Sequence, residues 1–523
     1  MSRAGLGRGS PRIRLGVAAM RSRRSAWTGT GRRDGRRRPQ WWVALAAAAA
    51  LAVAACSGAG PPSASTPSAL PKTTLTYCAV DGLSADCGYV RVPQDWAHPA
   101  GATMQLRVVV LPATGTSHPA APLFYLAGYG TAATSVGQLD WAAQLFRQLN
   151  QTRDLVFLDQ RGTPGSGAET CPGIGPSATG SALRTAVSRC LASADRDPRH
   201  DTTVSAVRDL DQARKALGYD QINIFGGSYG VTMGLAYLQR YSVHVRTAVF
   251  LSGSLLNVPL RQLQGVHAQQ AFDQLAARCA ATPACNRSYH PAADLAAIVT
   301  RLRAHPAQVT FTGPGGQQET ITVTLNQFLN FVESAYLDAP ETAVLLPGDL
   351  HSFARGQWAQ VIAERGLASA AASAMTAQPV QLETVTLACS DAWAATNPAQ
   401  LSPASSFPFA SLDAVTAAWQ QQLCTLWPHD PGVSGVVRST VPVVFINGTA
   451  DPTDPPANVA AAPRTMPNAL LVPAPGGTHN PASAACLSTQ ATEFIQAGKP
   501  ADKASWAACA RALGRALPAF PAS

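Results

Sequence analysis

The sequence predicts an α/β fold built around a mostly parallel sheet. Seven short apolar runs are bounded by turn residues, as expected for strands buried on both faces. Helical patterns separate several of these runs, which favours parallel strands joined by helices. Residues 255–435 differ, because their helical patterns are interrupted by few strand runs, so we expect a largely helical insertion before the last two strands. The seven runs are MQLRVVVLPA, PLFYLAG, DLVFLDQ, INIFG, RTAVFLSG, PVVFING and ALLVPAP.

The first 55 residues have the composition of an export signal. They contain twelve arginines and one acid, whereas the whole chain has a formal net charge of +10, so the remainder is close to neutral. The basic charge therefore belongs to this leader and gives no reason to expect a nucleic-acid partner. The run WWVALAAAAALAVAAC that follows the arginines is too short for a membrane span. We predict a signal peptide over residues 1–55, starting at Met1 or Met20 and exported by the Sec or the twin-arginine route.

The apolar run ends in Val53-Ala54-Ala55-Cys56, which resembles the lipobox of bacterial lipoproteins. This resemblance implies that Cys56 carries a lipid and becomes the first residue of the mature chain. The alternative is an ordinary secretory signal. Residues 56–75 are rich in Ser, Pro and Gly and predict a flexible tether. We therefore expect an extracytoplasmic protein, attached to the outer face of the cell membrane by its lipid anchor alone, or secreted.

Ten cysteines remain when Cys56 is set aside, and they fall into close neighbours along the chain. An even number behind an export signal favours disulfides, and proximity suggests five short-range pairs. No pair has C-x-x-C spacing and no histidine cluster accompanies them, so the pattern does not indicate a zinc site or any other cofactor. The suggested pairs are Cys78–Cys87, Cys171–Cys190, Cys279–Cys285, Cys389–Cys424 and Cys486–Cys509.

The stretch INIFGGSYGVTM places Ser228 on a tight corner between a strand and a helix. A hydrolase would place its nucleophile there, although an ordinary glycine-rich turn has the same composition. A serine hydroxyl is a weak nucleophile that needs a base, and the base needs an acid to orient it. Two late strands supply candidates, because Asp451 follows PVVFING and His479 follows ALLVPAP. The chain order Ser, Asp, His is the order found in hydrolases whose nucleophile lies on such a corner. Asp454 is the alternative acid.

Several segments of the chain resemble one known family. They are RDLVFLDQRGTPGSG followed by Cys171, TTVSAVRDLDQARKALGYDQINIFGGSYG, FINGTADPTDPPA, PGGTHN, and the terminal Cys486 and Cys509. These segments are similar to the secreted tripeptidyl aminopeptidases of actinobacteria, in the prolyl-aminopeptidase-like group of α/β-hydrolases. The similarity extends over most of residues 76–523 and is weakest in the insertion.

The resemblance implies an α/β-hydrolase fold with a mostly parallel sheet and a largely helical cap inserted before the last two strands. Ser228, Asp451 and His479 would form the catalytic triad, and the cap would close the cleft around a peptide's free N-terminus. An acidic residue near a cap cysteine is thought to hold the substrate α-ammonium in that family. In LACSDAW this position corresponds to Asp391; the alternative role is an exposed acid at a helix end.

The chain departs from the family where an early strand ends. The family usually has Gly-Gly-Pro-Gly there, whereas this chain has LAGYGT, with Tyr129 in place of the second glycine. By alignment, the backbone N–H groups of Tyr129 and Tyr229 would form the oxyanion hole. Backbone donors survive a change of side chain, so the hole can still form. We therefore expect the tyrosine ring to affect which substrates bind more than whether the reaction proceeds.

We therefore expect an exported serine hydrolase, an aminopeptidase that removes tripeptides or single residues from free peptide N-termini. The expected core is formed by residues 76–254 and 436–523, with the helical cap at 255–435. One alternative is an esterase or lipase acting on non-peptide acyl esters, since the same triad serves both reactions. The other is a non-catalytic surface lipoprotein, against which the complete triad argues.

Overall fold

The structure of the chain is a computed structural model. It describes residues 73–521 except residues 116–120, 136–142, 176–177, 314, 366–379, 393–395, 398, 400, 404 and 481–484. The predicted signal peptide, the lipid-anchor candidate Cys56 and nearly all of the predicted tether lie outside the described residues. In the part of the chain that the structure describes, no helix is both long enough and apolar enough to cross a membrane.

The described strands form one large sheet and two small ones. All seven predicted runs form strands, and the chain adds several that the prediction did not include. In chain order the strands are β1 (Thr76–Val80), β2 (Leu83–Pro93), β3 (Thr103–Leu111), β4 (Leu123–Leu126), β5 (Leu155–Leu158), β6 (Thr170–Cys171), β7 (Ile222–Gly227), β8 (Val245–Leu251), β9 (Ala307–Thr312), β10 (Gln318–Val323), β11 (Val380–Gln381), β12 (Val443–Gly448) and β13 (Ala469–Ala474).

The helices lie between the strands of the large sheet and in the insertion. In chain order they are α1 (Ala143–Asn150), α2 (Gly180–Ser193), α3 (Thr203–Ala216), α4 (Tyr229–Tyr241), α5 (Leu260–Ala281), α6 (Pro283–Ser288), α7 (Pro291–Ala304), α8 (Leu325–Val332), α9 (Pro340–Ala343), α10 (Leu346–Ala354), α11 (Trp358–Glu364), α12 (Leu382–Leu387), α13 (Ala410–Leu426), α14 (Ala485–Ala497) and α15 (Lys503–Arg515). Two π-helical turns, Glu333–Leu337 and Ala388–Ala392, extend α8 and α12.

The large sheet has the strand order β1-β2-β3-β5-β4-β7-β8-β12-β13. The six strands from β5 to β13 pair in parallel, and the three at the other edge pair antiparallel. This arrangement confirms the predicted mostly parallel sheet. Because parallel strands point the same way, the loops after β7, β8, β12 and β13 all leave from one edge of the sheet.

Both faces of the parallel strands are buried, which explains their continuous apolar runs. In β5, for example, Val156 and Leu158 pack into the core on one face, while Leu155 and Phe157 pack into the core on the other. Helices α3 and α4 cover the first face, and α1, α14 and α15 cover the second.

The insertion between β8 and β12, residues 255–435, is called the cap below. It holds helices α5 to α13 and a small hairpin of β9 and β10, so it is largely helical, as predicted. Most of the cap has a hydrophobic core of its own, in which Phe272, Phe328 and Phe353 are almost completely buried.

The five cysteine pairs expected from the sequence are disulfides in the structure, with Cα–Cα distances between 5.1 and 5.8 Å. The Cys389–Cys424 bond joins the second π-helical turn to α13, so it fixes the part of the cap that carries Asp391. The Cys486–Cys509 bond joins α14 to α15 beneath the sheet.

Candidate active site

The three proposed triad residues lie at the same edge of the sheet. Ser228 directly follows β7, Asp451 lies just after β12, and His479 lies just after β13. These strands are parallel and belong to the consecutive set β7-β8-β12-β13, so their carboxyl ends converge. The topology therefore gathers residues that are more than 220 positions apart in the sequence onto one edge.

Ser228 occupies a strained corner. Its backbone angles are φ 53° and ψ −121°, a conformation that non-glycine residues seldom adopt. The flanking glycines allow it, since a Cβ added at Gly226 would lie 2.6 Å from the Gly230 carbonyl oxygen, and one at Gly230 would lie 2.1 Å from that of Leu126. This is the geometry of a nucleophile elbow, which exposes the serine hydroxyl above the sheet.

Asp451 and His479 are in direct contact. The His479 Nδ1 atom lies 3.1 Å from Asp451 Oδ1 and 3.2 Å from Oδ2. Asp451 is 1% exposed, and its Oδ1 also accepts the backbone N–H groups of Thr453 and Asp454, both at 2.8 Å. A carboxylate held in this way fixes the imidazole ring and leaves Nε2 as the free nitrogen.

The alternative acid, Asp454, is more distant from the histidine. Its Oδ2 lies 3.9 Å from His479 Nδ1, and its Oδ1 accepts the hydroxyl of Ser254. Burial, together with the neighbouring charge of Asp451, raises the pKa of Asp454 to about 7. Burial acts in the same direction on Asp451, but the contact with His479 outweighs it and holds the pKa of Asp451 below its ordinary value.

The carboxylates also act on the histidine. Burial alone would lower the pKa of His479, but the charges of Asp451, Asp454 and Asp338 outweigh burial and hold that pKa above its ordinary value. The neutral imidazole of His479 is therefore a stronger base than that of an ordinary histidine. Among the described residues, no hydrogen bond joins the Ser228 hydroxyl to His479, a contact that often tightens only when a substrate is bound.

Two backbone donors face the elbow. Neither the N–H of Tyr129 nor that of Tyr229 has an acceptor among the described residues. Tyr229 begins α4, directly after Ser228, and Gly128 is close enough that an added Cβ would lie 3.9 Å from the Ser228 Cβ. Free N–H groups on either side of a nucleophile suit an oxyanion hole.

The ring of Tyr129 is anchored away from the sheet. Its hydroxyl donates to the carbonyl of Thr384 in α12 at 2.9 Å, and its ring meets that of Tyr229 edge-on, with 5.3 Å between centroids. The carbonyl of the next residue, Gly130, accepts the amide of Gln381 at 3.0 Å. The tyrosine that departs from the family pattern thus connects the oxyanion turn to the cap.

A polar network that could not be predicted from the sequence surrounds the Tyr229 hydroxyl. The Tyr229 hydroxyl meets Thr203 Oγ1 at 2.6 Å and accepts from the Gln160 amide at 3.1 Å. Gln160 also donates to Glu383 of the cap at 3.0 Å, and burial raises the pKa of Glu383 to about 8. The Thr203 hydroxyl in turn donates to Asp391, so the network reaches the candidate ammonium site.

Asp391 lies in the second π-helical turn of the cap. Besides the Thr203 hydroxyl, it accepts the backbone N–H of Val433 at 2.8 Å, and it faces no cation among the described residues. Burial raises the pKa of Asp391 to about 6. Since a carboxylate has about four acceptor positions, those two bonds leave capacity for another donor.

A cavity of about 230 Å³ connects these groups. It is lined by Ser228, Tyr129 and Tyr229, by Asp391 and Val433, and by Asp454 and the start of α5. Among the residues that the structure describes, no cluster of three or more His, Cys, Asp or Glu side chains could hold a metal ion.

The chain is similar to several known proteins. The serine protease Hip1 of Mycobacterium tuberculosis H37Rv is 30% identical over 237 residues, or 39% of this chain and 44% of the relative. The tripeptidyl aminopeptidase of Streptomyces coelicolor is 30% identical over 183 residues, or 31% and 34% of the two chains. Carboxylesterase B of Mycobacterium tuberculosis H37Rv is 29% identical over 247 residues, or 39% and 43%.

The chain thus spans less than half the length of each of these relatives. The family described as alpha/beta hydrolase fold matches residues 122–482, well over half of the chain. This match begins at β4 and extends past His479, so it includes the elbow, the cap and both late strand ends. The chain belongs to the α/β hydrolase fold family.

Proposed function

We propose that the protein is a serine hydrolase in which Ser228, His479 and Asp451 act as nucleophile, base and orienting acid. The observation that carries this proposal is the contact between the buried Asp451 carboxylate and His479 Nδ1, on the sheet edge where the strained Ser228 also lies. A protease and an aminopeptidase among the relatives support the same class of reaction.

In the first half of the reaction, His479 Nε2 takes the proton of Ser228 Oγ as that oxygen attacks the scissile carbonyl carbon. The carbonyl electrons move to its oxygen, which the N–H groups of Tyr129 and Tyr229 stabilise. The tetrahedral intermediate then collapses, the bond to the leaving group breaks, and His479 gives its proton to that group. An acyl-enzyme on Ser228 remains.

In the second half, water replaces the leaving group. His479 takes a proton from the water as its oxygen attacks the acyl carbon, and then returns the proton to Ser228 Oγ as the acid product leaves. Throughout, Asp451 keeps the imidazole in one tautomer and stabilises the imidazolium form.

We further propose an aminopeptidase that releases tripeptides or single residues. Asp391 lines the same cavity as Ser228, contacts no cation among the described residues and has free acceptor capacity, which suits a substrate α-ammonium. The name of the Streptomyces relative supports this type of substrate. An esterase is the second candidate, because carboxylesterase B is similar over a comparable length.

The test combines one variant with one substrate panel. Ser228→Ala should abolish labelling by a fluorophosphonate probe and cut turnover by several orders of magnitude while circular dichroism stays native. Wild-type protein should cleave free peptide amides faster than N-acetylated peptide amides or simple p-nitrophenyl esters. Activity retained in Ser228→Ala would remove the triad assignment, and equal rates on free and acetylated peptides would leave the esterase ahead. A folded wild type that takes up no probe would favour the non-catalytic alternative.

We also propose that the protein is exported and anchored through a lipid on Cys56. The lipobox-like Val53-Ala54-Ala55-Cys56 and the tether-like composition after it support this proposal. Cys56→Ala should leave the protein unprocessed or release it into the medium. A membrane fraction unchanged by this substitution would contradict the lipid anchor.

A further inference from the structure

The cleft also contains a cation, Arg261. This residue lies in the first turn of α5 and lines the cavity that Ser228 enters. Its guanidinium carbon is 5.7 Å from the centroid of the Tyr129 ring, on the residue that carries one of the oxyanion donors. Arg261 is half-buried, so its charge is partly removed from water and faces the space where a substrate would bind.

No resident anion balances this charge. Among the described residues, Arg261 forms no ion pair. The two acids whose pKa its charge affects are Glu333 and Asp454. Burial raises the pKa of Glu333 to about 8, and burial with the Asp451 charge raises that of Asp454 to about 7. Neither carboxylate forms an ion pair with Arg261, so the guanidinium remains able to bind the carboxylate of a substrate.

Helix stability does not explain the residue either. The first turn of α5 has no acidic residue and no side-chain cap, and it follows Pro259. The helix dipole favours anions at this end, so a cation there is mildly unfavourable. The arginine therefore does not serve the helix start; it lies against the Tyr129 ring and borders the cleft, where a substrate would meet its charge.

We propose that Arg261 is a substrate-binding residue that holds a carboxylate of the peptide. This inference rests on the proposed aminopeptidase function and adds a substrate class to it, namely peptides with a negative charge near the scissile bond. The carboxylate is either an acidic side chain or the free C-terminus of a short peptide. A guanidinium fork matches the two oxygens of a carboxylate, and Leu255 and Leu256 line the same cavity with apolar surface.

Two sets of matched peptides separate the sources of the carboxylate. In the first set, all with free N-termini and amidated C-termini, Glu replaces Gln at each of the first four positions in turn. In the second set, alanine peptides of two to five residues carry either a free or an amidated C-terminus. For wild-type protein we expect kcat/KM to be about 10- to 100-fold higher for the charged member in one set, the range of a charged hydrogen bond.

Three variants connect that preference to the guanidinium. Arg261→Gln should reduce the ratio between charged and neutral members to about one, and Arg261→Lys should retain part of it because the charge remains without the fork. Arg240→Gln is the matched control. Arg240 also lies 5.7 Å from a tyrosine ring, that of Tyr241, but it is exposed at the far end of α4. Its substitution should leave the ratio at the wild-type value.

Two results would overturn the inference: equal rates for charged and neutral peptides in wild-type protein, or a preference that survives in Arg261→Gln. Fluorophosphonate labelling of each variant shows that its elbow is folded. If no peptide is cleaved, the aminopeptidase proposal fails, and p-nitrophenyl butyrate and hemisuccinate then test Arg261 alone. A hemisuccinate preference that Arg261→Gln abolishes would sustain carboxylate binding, and its absence would refute it.

Discussion

The strand-end site provides the buried carboxylate of Asp451 and the cap provides the half-buried carboxylate of Asp391, and the two are held in similar ways. Asp451 accepts two backbone N–H groups and contacts His479. Asp391 accepts one hydroxyl and one backbone N–H, and it faces no cation among the described residues. Burial acts on both, yet the pKa of Asp451 is below its ordinary value whereas that of Asp391 is raised to about 6. The contact of Asp451 with His479 accounts for the difference between the two pKa values.

This comparison separates two uses of a carboxylate. Where the fold supplies the cation, the pair is complete before a substrate arrives, and the carboxylate acts by orienting its partner. Where the fold supplies none, the carboxylate remains destabilised by burial until a positively charged group enters. A substrate α-ammonium would relieve that cost, which is why Asp391 suits recognition and Asp451 suits catalysis.

The largest expected effect is at Asp451. Asp451→Asn should lower kcat by about 10⁴-fold, because an amide holds the imidazole in the wrong tautomer and does not stabilise the imidazolium. The loss should be similar for peptides and esters, as measured by steady-state kinetics. Asp454→Asn is the control and should cost far less. A greater loss in Asp454→Asn would exchange the roles of the two acids.

A smaller and substrate-dependent effect is expected at Asp391. Asp391→Asn should lose about 2–4 kcal/mol of transition-state binding with free peptides, and little with neutral esters, which do not use the contact. Asp413→Asn is a matched control, because Asp413 is also a buried cap carboxylate whose pKa burial raises to about 6, but it accepts Gly265 N–H away from the cleft. Equal losses of Asp391→Asn on both substrates would mean that Asp391 only supports the cap.

The smallest effect concerns pH. The charges of Asp451, Asp454 and Asp338 hold the pKa of His479 above its ordinary value, and catalysis needs the neutral imidazole. The value of kcat/KM should therefore rise as pH increases through that pKa. Asp454→Asn removes one of the charges, so it should lower the pKa and move the rise to lower pH by up to about one unit. A rise that stays in place or moves to higher pH would show that Asp454 carries no charge near the histidine.

Much of the sheet could be predicted from the sequence, and the reasons are local. Strands such as β7 and β12 are buried on both faces, so their apolar runs are continuous and easily recognised. The hairpin of β1 and β2 escaped prediction because it lies at the sheet edge and exposes Tyr77, Leu83 and Tyr89. The cap hairpin was also missed, although Val309 and Phe311 alternate with exposed residues before a glycine-rich turn.

The candidate site also contains residues that could be predicted from the sequence and contacts that could not. Ser228, Asp451 and His479 could be proposed because each follows a recognisable strand in a meaningful order. The contacts of Tyr129 with Thr384 and of Gln160 with Glu383 could not, since they join residues 255 and 223 positions apart through the packing of the cap. The position of Arg261 in the cleft could not be predicted either, because the sequence shows only an arginine near the start of a helix.

The attachment of the oxyanion turn to the cap has a consequence for folding. Several hydrogen bonds fasten residues 380–384 to the core. The strand β11 pairs with β6, the Gln381 amide donates to Gly130, the Tyr129 hydroxyl donates to Thr384, and the Gln160 amide donates to Glu383. The α5 side of the cap is bonded to the core as well, because His267 Nδ1 lies 2.9 Å from the Thr453 carbonyl oxygen and the Gln274 amide donates to the carbonyl of Thr449. The turn that carries the Tyr129 N–H is thus bonded to the cap through two neighbouring residues, Tyr129 and Gly130. A loss of cap packing near residues 380–384 would therefore also loosen the turn that carries one of the two proposed oxyanion donors, so the alignment of that donor depends on the folding of the cap.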